Sequence, residues 1–175
     1  LTLQQIIWIH LLVNLVPLTW LGHDQIQGHL TYNRAQKILP FLYKSYRSDI
    51  LLRSLVIGLM TIVSFVVTLE ATSENPEKTQ MVAQTAACTT LIFTQLISNF
   101  QCRRHFWESL IQRITANLPL LITVLVCMGL HLATVYLEPA GQIFGMASLT
   151  LREWQWIGSF CILALLPLNL ATGKR

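Results

Sequence analysis

His10 and Asn14 stand one helical turn apart inside an apolar run without a formal charge, and Pro17 follows three residues later. On a helix, positions i and i+4 share a face, so the imidazole and the amide point the same way. Proline has no N–H to give to the preceding turn and loosens the helix at that level. Carbonyls released by such a break can coordinate a cation where they line a cavity. A second apolar run contributes Thr94, Gln95, Ser98 and Asn99, further uncharged oxygen ligands. Together, His10, Asn14, Pro17 and Gln95 form a candidate ion pathway. A third run carries His131.

A plainer reading stands beside this one. Polar side chains hold membrane helices together through hydrogen bonds worth ~0.6–2 kcal/mol each. His131, alone in its run, is read as that kind of tether. The first run also lacks any carboxylate, whereas a hard divalent ion such as Ca²⁺ collects six to eight oxygens, several of them charged. Histidine suits a softer metal or a proton better. No HExxH, GxSxG or GxxxxGK[ST] is present, so metalloprotease, serine-hydrolase and P-loop chemistry have no motif here. Ser64 and Ser159 lack a visible base and read as packing residues.

The elements that position these residues follow from composition. Of 175 residues, 53% are hydrophobic and 11% charged, and the mean hydropathy is +0.53. A soluble domain carries about 25% charged residues. Runs of ~20 apolar residues suit a hydrocarbon core of about 30 Å. Five are present, at 3–21, 50–69, 81–100, 118–136 and 154–170, with 81–100 the most polar. The fold class expected is all-α, a multi-span transmembrane bundle of five membrane helices forming a single domain over 1–175.

Orientation follows the placement of Lys and Arg. Arg34, Lys37, Lys44, Arg47, Arg53, Arg103, Arg104, Arg113, Lys174 and Arg175 fall on one side, and Lys78 and Arg152 on the other. The N-terminus is therefore expected outside and the C-terminus in the cytosol. Basic residues scattered between apolar runs fit topology, not nucleic acid. Cys88, Cys102, Cys127 and Cys161 show no CxxC spacing, and neither disulfides nor zinc are expected. Segment 35–46 could lie along the inner interface as an amphipathic piece. Segment 138–152, with Pro139, Gly141 and Gly145, is expected to pack its apolar residues on helix ends. The chain opens on Leu1 inside its first apolar run, which suggests a piece of a longer protein.

Several stretches resemble one family. Gln5-Ile-Ile-Trp-Ile-His-Leu-Leu-Val-Asn-Leu-Val-Pro17 is similar to the sixth membrane helix of P-type cation-transporting ATPases of the calcium-pump type. Thr94-Gln-Leu-Ile-Ser-Asn-Phe-Gln-Cys-Arg103 resembles the cytosolic end of their eighth helix. His131 to Pro139, with Ile143-Phe-Gly and Leu149 to Trp154, resembles the ninth helix, its loop and the start of the tenth. The resemblance implies that His10, Val13 and Asn14 occupy positions where calcium pumps carry a cation-binding Asn, Thr and Asp. Gln95, or a neighbour, stands where the eighth helix can carry a carboxylate. It also implies the same alternation of loops.

The family binds ATP and magnesium in cytosolic domains built around Asp-Lys-Thr-Gly-Thr, a motif this sequence lacks. The reading is thus a C-terminal membrane domain of such a pump, not catalytic by itself and with no cofactor of its own. Its expected partners are the lipid bilayer, the pump's other helices and cytosolic domains, and a cation, in a multi-pass protein of the plasma membrane. Without those helices, the polar faces of the first and third spans are expected to lack cover. The alternatives are a non-catalytic subunit regulating a separate pump, or a small unrelated permease.

Overall fold

The structure, a computed structural model, describes residues 1–15, 32–71, 75–101 and 118–172. All its elements are helical: α1 (Leu3–His10), continued by a π-helical turn (Leu11–Leu15), α2 (Tyr32–Ala71), α3 (Pro76–Gln101), α4 (Leu118–Tyr136), α5 (Glu138–Phe144) and α6 (Leu151–Thr172). Among the described residues, Ile50–Ala71 and Pro76–Asn99 are each long and apolar enough to cross a membrane. A third crossing is available where α4 and α5 count together, although they are bent by 93°. Leu3–Asn14 is apolar but shorter. The first of the five expected runs extends past the described residues, and the fifth falls within α6.

Local sequence explains the boundaries. Thr2 and Gln5 form a reciprocal capping box at the start of α1, each satisfying an N–H that the first turn leaves unpaired. Pro76 opens α3, where its missing N–H costs nothing. Glu153 accepts from the N–H and hydroxyl of Thr150 at the start of α6. Gly145 ends α5 with φ +60°, a conformation glycine reaches without a Cβ penalty. At Gly141 a Cβ would stand 3.1 Å from the Met146 carbonyl, so the chain folds back tightly over this position. Segment 35–46 runs within α2, continuous with the apolar stretch after it.

α3 is the hub: it touches α1 and its π turn, α2, α4 and α6. Its apolar window is 67% buried, against 11% for that of α2. The outer face of α2 exposes Ile50, Leu51, Leu55, Leu59, Ile62 and Val66. So large an apolar stripe suits hydrocarbon, not water. The most polar of the five runs is therefore the most enclosed, and the expectation that its polar face would lack cover needs correcting. Thr85, Thr89, Thr90 and Thr94 are at most 1% exposed, and Ser98 is 9% exposed.

Each of these hydroxyls donates to the carbonyl four residues earlier, at 2.6–2.8 Å. A hydroxyl carries one hydrogen and two lone pairs. With the hydrogen committed, only acceptor capacity faces outward. Thr85 accepts the Ala147 N–H at 2.9 Å, Thr90 meets Ser64 at 2.9 Å, and Thr89 meets His131 Nε2 at 2.9 Å. Thr94 Oγ1 lies 3.5 Å from Cys161 Sγ. The same logic puts the His131 proton on Nε2. His131 is thus a tether between α4 and α3, and Ser64 holds α2 through a hydrogen bond as well as packing.

Replacing Thr89 by Val should leave the buried His131 N–H unpaired and cost the full-length protein about 1–3 kcal/mol. Removing both partners, in Thr89→Val with His131→Leu, should cost less than the sum of the single changes by about 0.6–1.7 kcal/mol. Unfolding in detergent as a double-mutant cycle measures this, and strict additivity would show that the two side chains do not interact.

Candidate functional site

α1 has two faces of different character. Gln5, Ile9, Leu12 and Val13 are buried against the bundle, whereas Leu3, Ile6, Ile7, His10, Leu11 and Asn14 are exposed. Leu12 meets the core of α3 and α4, including Ile92, Leu96 and Leu120. The exposed stripe is apolar except for Gln4, His10 and Asn14, and the last two meet: Asn14 Nδ2 lies 2.8 Å from His10 Nδ1. With the amide donating, the imidazole proton sits on Nε2, and both that N–H and the Asn14 carbonyl oxygen remain available.

The pair straddles the change from α- to π-helix at Leu11. A π turn widens the helix and recurs at functional sites. Pro17 lies outside the described residues. Whatever its placement, it has no N–H to return to the turn that holds Asn14. Gln95 is half-buried on α3, and among the described residues no hydrogen bond joins it to His10 or Asn14. The structure thus brings together two of the four candidate residues. Asn99, one turn further along α3, has a buried Nδ2 without a hydrogen-bond partner among the described residues.

As bonded, the exposed pair offers one neutral ligand, the Asn14 carbonyl oxygen, and no negative charge. Among the described residues, no group of three His, Cys, Asp or Glu side chains could hold a metal ion. A cation passing α1 would need ligands from elsewhere to complete its shell.

Sequence reasoning passed over Gln5 and Trp8 as site residues. Gln5 is fully buried, and its Nε2 donates to the Gly145 carbonyl at 2.8 Å while its Oε1 accepts from the Thr2 N–H at 3.1 Å. Trp8 stacks at a tilt on Phe144, with ring centroids 4.5 Å apart. The Thr-x-x-Gln pattern signals the cap, but nothing local signals a partner 140 residues away. Segment 138–152 is accordingly partly inserted, with Met146 and Leu149 buried and Ile143 exposed. Tyr136 bridges its end, accepting from Trp154 Nε1 at 2.5 Å and donating to the Leu149 carbonyl at 3.1 Å.

Comparison with known proteins gives this geometry its context. Residues 1–172 match the family described as "Cation transporting ATPase, C-terminus". The chain is 25% identical over 174 residues to calcium-transporting ATPase 1 of Bacillus cereus (strain ATCC 10987 / NRS 248), covering 93% of this chain and 19% of that protein. It is 30% identical over 155 residues to calcium-transporting ATPase of Bacillus subtilis (strain 168), covering 87% of this chain and 17% of that one. It therefore spans less than one-fifth of the length of these relatives. No solved structure shows a significant match. With a match that runs from the first residue into the last turn of α6, the chain belongs to the family of cation-transporting ATPase C-terminal regions.

Proposed function

We propose that this chain forms the C-terminal membrane region of an ATP-driven cation pump, in which α1 lines part of the ion pathway and α2 to α6 brace it. The observation that carries this reading is the His10–Asn14 pair, lying on the face of α1 that the rest of the bundle leaves uncovered. In a protein whose other membrane-depth polar groups are largely enclosed, an open hydrogen-bonding patch suits an ion path between helices. ATP hydrolysis, with its magnesium, belongs to other parts of the pump. Gln95 acts as a ligand or as support for one, and Pro17 as the helix break.

The arrangement in the membrane is part of the same reading. Five crossings place the N-terminal end of α1 outside and Arg175 in the cytosol, in the plasma membrane. Ten of twelve basic residues lie on the cytosolic side of that arrangement, as the charge rule requires. Neutral ligands in α1 favour a monovalent ion, a proton or a softer metal over tight Ca²⁺ binding by α1 itself. This distinguishes the chain from what the calcium-transporting names of its relatives suggest.

Two predictions follow from this geometry. In the full-length protein, His10→Ala and Asn14→Ala should each raise the half-activating cation concentration about tenfold, equivalent to about 1.4 kcal/mol. Because both side chains are exposed, thermal unfolding should change by no more than about 0.5 kcal/mol. Cation-stimulated ATP hydrolysis measures the first effect, and unchanged activation in both variants would remove the pair from the pathway. For topology, a phosphatase active only outside the cell should work when fused after Asn75 and fail when fused after Arg175. The opposite pattern would invert the chain.

A further inference from the structure

α5 and the loop behind it form an elbow at one end of the bundle. α4 turns by 93° into α5, Gly145 closes α5 with φ +60°, and the chain returns past Met146 and Ala147 to the start of α6. This elbow touches α1 at two levels. At the first, the Gln5 side chain donates to the Gly145 carbonyl at 2.8 Å. At the second, one turn on, Trp8 packs on Phe144. The elbow is itself fixed to α3 by the Ala147 N–H on Thr85.

Gln5 does more than a capping residue needs to do. A capping box uses the side-chain oxygen of its third residue to accept the N-cap N–H, and that bond is present. The nitrogen of the same amide is free to act elsewhere, and it reaches a carbonyl whose direction is set by the left-handed Gly145. The side chain is fully buried, so an unmade bond here would not be replaced by water. Each residue of an α-helix advances about 1.5 Å and turns about 100°. Holding Gln5 therefore fixes both the depth of His10 and Asn14 and the direction they face. The buried Val13 and the exposed Asn14 are consecutive residues of the π turn that continues α1.

We propose that Gln5 is a positioning residue, which joins the first turn of α1 to the Gly145 carbonyl of the elbow and so sets the rotation and depth at which α1 presents His10 and Asn14. Its importance for transport rests on the reading of α1 as a pathway helix, but the latch can be tested without any ion. Movement of the elbow would then be felt at the ion-pathway pair through a single amide and one aromatic contact.

The experiment compares the reactivity of cysteines placed by Val13→Cys and Asn14→Cys, one at a time, in the full-length protein in membranes. The probe is a small charged methanethiosulfonate, and labelling of the parent is subtracted. With Gln5 intact, the cysteine at position 14 should react at least about tenfold faster than the one at 13, because thiol reactivity follows exposure. Gln5→Leu should reduce that ratio below about threefold as α1 turns. Gln5→Asn, which keeps the amide but falls one methylene short of Gly145, should do the same and guards against misfolding of the first variant. Thr2→Val, which removes a cap acceptor and leaves the Gly145 bond, should keep the parent ratio. A ratio unchanged in both Gln5 variants would overturn the proposal, as would equal reactivity in the parent or an equal loss in Thr2→Val. His10→Ala tests the pathway reading separately: altered cation activation there with an unmoved labelling ratio in the Gln5 variants would retain the pathway and reject the latch.

Discussion

A threonine inside a helix can satisfy its hydroxyl hydrogen without leaving its own backbone, and the bundle depends on what that leaves over. Along α3, five hydroxyls give their hydrogens to carbonyls four residues back. Three of them thereby present lone pairs to a histidine, a serine and a backbone N–H on other segments. In hydrocarbon, helices gain little by merely hiding apolar surface from lipid, since lipid is equally apolar. Packing and hydrogen bonds must select which helices adjoin. α3 is polar enough to need neighbours and is touched by nearly every other element. The leucine-rich window of α2 is apolar enough to face outward along its length.

That division of labour leaves α1 in an unusual position. One side enters the same core, through Leu12 and Val13, and the other side stays open. On the open side, the helix changes from α to π, and the two polar groups at that change bond to each other. The bond pairs His10 Nδ1 with one Asn14 N–H, which lowers but does not remove the cost of leaving these groups uncovered in an apolar medium. The His10 Nε2–H, the second Asn14 N–H and the Asn14 carbonyl oxygen are left over from that bond.

Much of this was legible in the sequence, in proportion to how local its cause is. The second to fifth apolar runs fall within α2, α3, α4 and α6, and Thr2-x-x-Gln5 marks the cap by its residue types. The shared face of His10 and Asn14 followed from i, i+4 spacing, and their contact matches it. What sequence could not supply is pairing between segments. The hydroxyl series on α3 looked like a face in want of cover, because nothing in it names Ser64, His131 or Ala147 as partners. The 93° turn after Tyr136 and the tight approach of Gly141 to Met146 likewise exist only once the chain has folded back. Pro17, with residues 16–31 and 102–117, lies outside the described residues.

The balance of charge gives the last constraint. Glu70, Glu77, Glu138 and Glu153 all sit at or near helix ends, and no carboxylate falls within the first run. A divalent ion beside α1 would meet dipoles without a compensating charge. At an effective dielectric of about 20, a single carboxylate 4 Å away is worth roughly 4 kcal/mol per unit of ion charge, which a neutral amide does not replace. On the proposed reading, either the helices that cover α1 bring that charge, or the transported ion carries less of it. The exposed pair would then act as a filter by coordination geometry, with selectivity set by how closely covering groups approach a turn that the elbow holds in place.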